Sequence, residues 1–253
     1  MVNLIQAVFL SIVQGICEWF PISSSGHLAI FQKVFGFENL AFAVFLHFAS
    51  VFAVLVLFWK DIVSILNLKK KENWKYILLL LLGIIPAGIV GLLFKNQVEG
   101  FFSSFFYLGL FFIFSGVLVY STKFFKVREK KMNWLDSLFI GIFQAIAILP
   151  GISRSGSTIS AGLFRGIQKE QALKFSFLMA IPLIFGAGIL EFKDLNFAEI
   201  SYWALLVCFI VTFLVSLFTI EVLLKIVKSD KFYLFGIYNF VVGFLVLGWS
   251  FVR

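Results

Sequence analysis

The 253-residue chain is 61% hydrophobic and 19% aromatic, with 36 phenylalanines, and only 13% of its residues are charged. A soluble domain is closer to half apolar and about a quarter charged, so the composition excludes a soluble core and indicates a polytopic helical membrane protein. The net charge of +8 does not mark a nucleic-acid binder, because the basic residues gather in short loops between apolar runs.

The first apolar stretch covers 2–36. It lacks a basic leading region and carries Glu18 where a cleavage region would fall, so it is not expected to be a removable signal peptide. Pro21-Ile22-Ser23-Ser24-Ser25-Gly26-His27 interrupts it. Three runs of near-spanning length follow, at 40–59, 76–94 and 102–122. A second interrupted stretch covers 134–164 and contains Pro150-Gly151-Ile152-Ser153-Arg154-Ser155-Gly156-Ser157. Three more spans follow, at 173–190, 202–224 and 233–251. Each full run is close to the roughly 20 residues a membrane helix needs. The halves of the interrupted stretches are shorter, about 9–18 residues, and read as re-entrant helix–loop–helix hairpins. Cys17 and Cys208 lie in apolar segments with no metal-ligand spacing and read as small apolar residues.

Loop charges orient the chain. Lys60, Lys69, Lys70, Lys71 and Lys75 crowd one loop. Lys123, Lys126, Arg128, Lys130 and Lys131 crowd a second, and Lys225, Lys228 and Lys231 mark a third. The 95–101 and 191–200 loops are balanced or acidic, with Lys95 against Glu99, and Glu191, Asp194 and Glu199 against Lys193. Placing the basic loops in the cytoplasm makes the six spans alternate. The second hairpin then enters from the cytoplasmic side, since Arg165, Lys169 and Lys174 follow it, and the first enters from outside.

The two hairpins also align with each other. Gln14 and Gln144 are separated by 144 − 14 = 130 residues, and Gly26 and Gly156 by 156 − 26 = 130. Three spans follow each hairpin. The expected fold is therefore all-α, with six spans and two re-entrant hairpins in one membrane domain. Its inverted repeats cover about 1–125 and 130–253, and such a fold places its site near the midplane between the repeats.

The chemistry lies in the two breaks. Polar and ionisable groups at membrane depth are costly and usually functional. Ser11, Gln14 and Glu18 follow an i, i+3, i+7 pattern and share one helix face, which could hold a divalent cation or orient a nucleophile. Pro21 stops the entering helix. Ser23, Ser24, Ser25 and Gly26 start the next one in favourable capping company. The free N–H groups and dipole of that N-terminus suit a phosphate. His27 lies one turn from Ser24 and could exchange a proton. His47, in a long apolar span, reads as a packed, hydrogen-bonded residue. The second break repeats the design with Ser153, Ser155, Gly156 and Ser157 and adds Arg154, which binds phosphate oxygens bidentately. At membrane depth Arg154 needs an anionic partner, either Glu18 or a substrate phosphate. The inventory suits phosphoryl transfer. With no P-loop and no aqueous domain, the phosphate would belong to a lipid.

The run from Gln14 to His27 resembles the (Glu/Gln)-x-x-x-Glu plus Pro-x-Ser-Ser-x-Gly-His signature of the undecaprenyl-diphosphate phosphatase, or bacitracin-resistance, family. Pro150 to Gly156 resembles its Pro-Gly-x-Ser-Arg-Ser-Gly signature, and the likeness extends over essentially the whole chain. The resemblance implies hydrolysis of undecaprenyl diphosphate to the monophosphate in the cell membrane. That reaction recycles the lipid carrier for peptidoglycan and confers bacitracin resistance. It also implies an outward-facing site, a divalent cation such as Mg²⁺ or Ca²⁺, and Glu18, Ser24, His27 and Arg154 as functional residues. Gln14 stands where the family often has Glu, which leaves Glu18 as the main metal ligand with Gln14 beside it. The expected mechanism has Arg154 and the helix N-termini holding the diphosphate, Ser24 as nucleophile and His27 in proton transfer. Water or a phosphohistidine is the alternative route. The expected partners are a polyprenyl diphosphate lipid, the bilayer and a second copy in a homodimer, with no nucleic acid.

Two rivals share these features. A secondary transporter or lipid-phosphate flippase would also use inverted repeats and broken helices aimed at an anion. The type-2 phosphatidic-acid phosphatase family shares fragments of both motifs. It needs a histidine after its Ser-Arg segment, and here none follows His47.

Overall fold

A computed structural model describes residues 3–126, 130–191 and 201–252. All regular structure among them is helical. The first half contains α1 (Leu4–Cys17), α2 (Ser24–Phe35), α3 (Leu40–Leu57), α4 (Trp59–Ile65), α5 (Lys71–Leu93), α6 (Lys95–Phe102) and α7 (Phe105–Ser121). The second contains α8 (Trp134–Ile146), α9 (Arg154–Phe164), α10 (Lys169–Glu191), α11 (Tyr202–Lys228) and α12 (Leu234–Ser250).

Among the described residues, five helical segments are long and apolar enough to cross a bilayer: Leu40–Leu57, Lys71–Leu93, Phe105–Phe124, Lys169–Ile189 and Tyr202–Lys228. The sixth expected span corresponds to α12, which has 17 residues. At about 1.5 Å per residue it is shorter than a typical hydrocarbon core of about 30 Å. Two stretches expected as loops contain helices, α4 and α6. Short helices there keep the charged groups out of the interior: α4 buries no residue, α6 buries only Val98, and Lys95 pairs with Glu99 one turn on. The expected acidic loop at 191–200 lies almost wholly outside the described residues, as does Arg128 of the second basic loop.

Each hairpin starts the same way. Asn3 caps α1 and Asn133 caps α8, each in a reciprocal capping box, with Gln6 and Asp136 returning to the cap N–H. Their separation, 133 − 3 = 130, continues the spacing of the glutamines and glycines. Packing pairs correspond too: α8 lies on α5, and α1 lies on α11.

The most extensive helix pair is α7 with α12, and glycines explain how close it is. A Cβ on Gly236 would lie 2.5 Å from the Tyr120 backbone N and 2.8 Å from the Gly116 carbonyl O. One on Gly109 would lie 2.7 Å from the Leu247 backbone N, and one on Gly243 would lie 3.0 Å from the Gly109 carbonyl O. Small residues let membrane helices approach until their backbones touch, which replaces the hydrophobic drive that lipid removes.

Ion pairs gather the basic loops at one end. Lys169 pairs with Asp230 and Lys174 with Asp61, while Lys228 Nζ lies 3.4 Å from Glu170. Buried Asp136 accepts from Lys130 at 2.8 Å and Arg165 at 2.7 Å, which ties the far end of α9 to the start of α8.

Replacing Gly236 with Ala adds one methyl group where backbone already stands. It is expected to lower stability in detergent by about 1–3 kcal/mol. Gly248→Ala, with nothing within 4 Å of its added Cβ, is expected to leave the unfolding midpoint unchanged. Thermal unfolding of the two variants checks the difference.

Candidate functional site

The two breaks meet. A Cβ on Gly26 would lie 2.9 Å from the Gly151 Cα, and Gly151 itself holds φ +101, a conformation that favours glycine. Ser155 Oγ donates to the Phe20 carbonyl O at 3.2 Å, and Asn239 Nδ2 of α12 donates to the Pro21 carbonyl O at 2.7 Å. The Asn239 bond answers a backbone acceptor at the break, and the Ser155 bond adds to the Ile22 N–H that already donates to the Phe20 carbonyl O.

Glu18 stands at the centre. It is the C-cap of α1, one turn beyond Gln14, and is only 6% exposed. Its Oε2 accepts from Ser24 Oγ at 2.7 Å and from Gln14 Nε2 at 3.0 Å. Its Oε1 accepts from Arg154 Nη2 at 2.7 Å. The carboxylate therefore bridges the hydroxyl of the first break to the guanidinium of the second. Arg154 also lies over the Trp19 ring, 5.3 Å from its centroid, and Nη1 makes a long contact of 3.4 Å with the Ser176 carbonyl O. The two partners that the sequence left open for Arg154 are thus not exclusive. Glu18 holds it here, through one nitrogen.

The serines divide by task. Ser23 and Ser153 are N-caps whose hydroxyls accept from Gly26 N–H at 3.3 Å and Gly156 N–H at 3.0 Å. Both are almost fully buried and are committed to the helix ends. Ser25 and Ser155 lie 3.3 Å and 3.2 Å from those cap hydroxyls. Ser157 is buried with an unpartnered Oγ. The first-turn N–H groups of Ser24, Ser25, Arg154 and Ser155 have no intrahelical acceptor.

His27 bonds to groups other than Ser24. One-turn spacing from Ser24 suggested a proton-transfer pair, but no hydrogen bond joins the two. His27 Nδ1 is 2.8 Å from the Ser23 carbonyl O, and Nε2 is 2.9 Å from Tyr238 Oη. The ring stacks on Tyr238 and meets Phe112 edge-on. Carbonyl and hydroxyl together hold the imidazole on the α12 side, away from the carboxylate.

His47 takes the place next to Ser24. Its Nε2 is 3.3 Å from Glu18 Oε2 and 3.4 Å from Ser24 Oγ, while Nδ1 is 2.8 Å from the Ala43 carbonyl O. It is hydrogen-bonded, as expected, but to the site rather than to the packing alone. Its one signal in the sequence is a histidine in an otherwise uncharged span. Tyr238 gave no signal at all.

Among the described residues, no three His, Cys, Asp or Glu side chains form a metal cage. The chain does offer Glu18 and one spare oxygen, the buried and unpartnered Oε1 of Gln14. Hard divalent cations take such oxygens and commonly complete their shell with substrate phosphates and water. The donor set fits a cation that arrives with a diphosphate.

Ser23 has φ 65 and ψ 94, while Ser153, its counterpart, has φ −70 and ψ 122. A non-glycine residue with positive φ carries strain, and such strain clusters at functional sites. It turns the chain just before Ser24.

The fold and site define a helical membrane protein with a buried carboxylate, serine and arginine in two facing helix breaks. Residues 7–245 match the family model for bacitracin resistance protein BacA. The undecaprenyl-diphosphatase of Halothermothrix orenii is 39% identical over 253 residues, covering 97% of each chain. That of Methanococcus maripaludis strain C5 is 42% identical over 252 residues, covering 96% of this chain and 98% of its own. That of Thermosipho africanus is 39% identical over 246 residues, covering 94% and 97%. The chain belongs to the bacitracin resistance protein family.

Ser23→Gly removes the φ penalty and is expected to fold within about 1 kcal/mol of the parent, because glycine also serves acceptably as an N-cap. Ser23→Val combines a branched side chain with positive φ and loses the cap; it is expected to cost about 2 kcal/mol or more. Detergent unfolding curves of the pair check this.

Proposed function

We propose that the chain hydrolyses undecaprenyl diphosphate to undecaprenyl phosphate and inorganic phosphate, at a site facing outward from the cell membrane. One observation carries the reading. Ser24 Oγ lies 2.7 Å from Glu18 Oε2, and the other oxygen of that carboxylate lies 2.7 Å from Arg154. Nucleophile, base and phosphate-binding cation thus surround one point. The family and the names of its relatives support the substrate, and the apolar surroundings suit a lipid. The basic loops gathered at one end support the orientation.

The terminal phosphoryl group is held by Arg154 and the N–H groups of α2 and α9. Ser24 Oγ attacks its phosphorus and gives its proton to Glu18. The bond to the bridging oxygen breaks, and undecaprenyl phosphate leaves. Water then attacks the phosphoserine phosphorus, the Oγ–P bond breaks, and Ser24 recovers a proton through Glu18. Inorganic phosphate completes the balance. Proton transfer runs through Glu18 in this scheme, because His27 is held by Tyr238. A divalent cation held by Glu18 and Gln14 Oε1 would supply charge neutralisation to the diphosphate.

Ser24→Ala is expected to reduce phosphate release from undecaprenyl diphosphate by about 10²–10³-fold or more. Activity near that of the parent would remove Ser24 as nucleophile. Protein that binds the lipid yet never releases phosphate would favour translocation instead.

Chelation with EDTA is expected to lower phosphate release by about tenfold or more, with recovery on adding Mg²⁺ or Ca²⁺. Full activity in excess chelator would remove the cation from the scheme.

A further inference from the structure

We propose that His47 is a positioning residue that frees Arg154 to pass from Glu18 to the substrate phosphate. The inference rests on the functional reading above, and it concerns a residue that the scheme does not use.

Arg154 has two claims on it. In the structure Nη2 is committed to Glu18 Oε1 at 2.7 Å, and Nη1 has only the long contact to the Ser176 carbonyl. A phosphoryl group takes a guanidinium best through two parallel N–H···O bonds. Forming them requires Nη2 to loosen its hold on the carboxylate. Glu18 is buried, and a buried carboxylate that loses the hold of a guanidinium is destabilised. An anion would thus compete against a tight internal pair.

His47 relieves that conflict by its place in the fold. It comes from α3, whereas Glu18 belongs to the end of α1 and Arg154 to the start of α9. Its ring is anchored through Nδ1 to the Ala43 carbonyl, and Nε2 faces Glu18 Oε2. The contact of Nε2 with that oxygen, at 3.3 Å, gives the carboxylate a second hold from a different helix. That hold does not depend on where Arg154 points. With Gln14 Nε2 it keeps donors on Oε2 while Oε1 is released, and it keeps Oε2 turned toward Ser24. Gln14 alone would leave Oε2 with one amide and the Ser24 hydroxyl at the moment the anion arrives.

The test separates this role from simple packing. The ligand is a polyprenyl diphosphate analogue whose bridging oxygen is replaced by CH₂, so binding is read without turnover. His47→Leu is expected to weaken binding about tenfold and to lower turnover of the natural lipid by at least that factor. His47→Gln, which restores an N–H toward Glu18, is expected to bind within about threefold of the parent. The deciding comparison is made in a Glu18→Gln background. There the carboxylate that competes for Arg154 is gone, and adding His47→Leu should change affinity by less than about twofold. Affinity at the parental level in His47→Leu, or an equal loss with and without Glu18, overturns the proposal. Detergent melting and gel-filtration profiles establish folding, and His47→Ala carries the same cycle if the leucine variant does not fold. If the parent binds the analogue yet releases no phosphate from the natural lipid, the phosphatase reading fails and the His47 cycle still decides. If the parent does not bind the analogue, both fall.

Discussion

The Glu18–Arg154 ion pair is the constraint around which the protein is arranged. Each charge would be costly alone in an apolar bundle, and the pair lets each offset the other. Because Glu18 ends α1 and Arg154 begins α9, satisfying both forces the two hairpins to meet. The close approach of Gly26 and Gly151, the Ser155 bond to the Phe20 carbonyl, and Trp19 beneath the guanidinium all follow from that meeting. The pair also sets the chemistry, since its carboxylate holds Ser24 with the oxygen that Arg154 leaves free.

Much of this was legible in the sequence, for physical reasons. Charged residues in an apolar chain stand out because lipid does not tolerate them, so Glu18 and Arg154 were conspicuous. Pro21 and the Ser/Gly runs marked the breaks because helices cannot continue through them. What stayed hidden depended on direction rather than position. His27 and Ser24 are one turn apart, but spacing does not say that Tyr238, 211 residues away, draws the imidazole aside. His47 lies on a helix with no polar stripe, and only the packing of α3 brings it to Glu18. The matched Asn3 and Asn133 caps were readable in principle, because N-capping chemistry is local. The strain at Ser23 was not, because serine has no particular preference for positive φ.

The two halves share a plan and differ in its use. Both begin with an asparagine cap and continue to a buried glutamine, a serine N-cap and a glycine. Gln14 donates to Glu18, whereas Gln144 makes a long bond to the Gly83 carbonyl of α5. Ser23 is strained and Ser153 is relaxed. The first half therefore carries the carboxylate and the Ser24 hydroxyl bonded to it, and the second supplies an ordered N-terminus bearing the guanidinium. A symmetric frame with asymmetric contents brings two helix N-termini together without duplicating the carboxylate.

The glycine contacts between α7 and α12 have a mechanical consequence. These helices close the first and second halves respectively, and their backbones interlock where Gly116 meets Gly236 and where Gly109 meets Leu247 and Gly243. Interlocked backbones resist sliding, because a shift of one residue would drive side chains into main-chain atoms. Rocking of one half against the other, the motion by which many inverted-repeat transporters carry cargo, would have to prise this seam apart. The seam acts as a weld where a carrier would need a bearing.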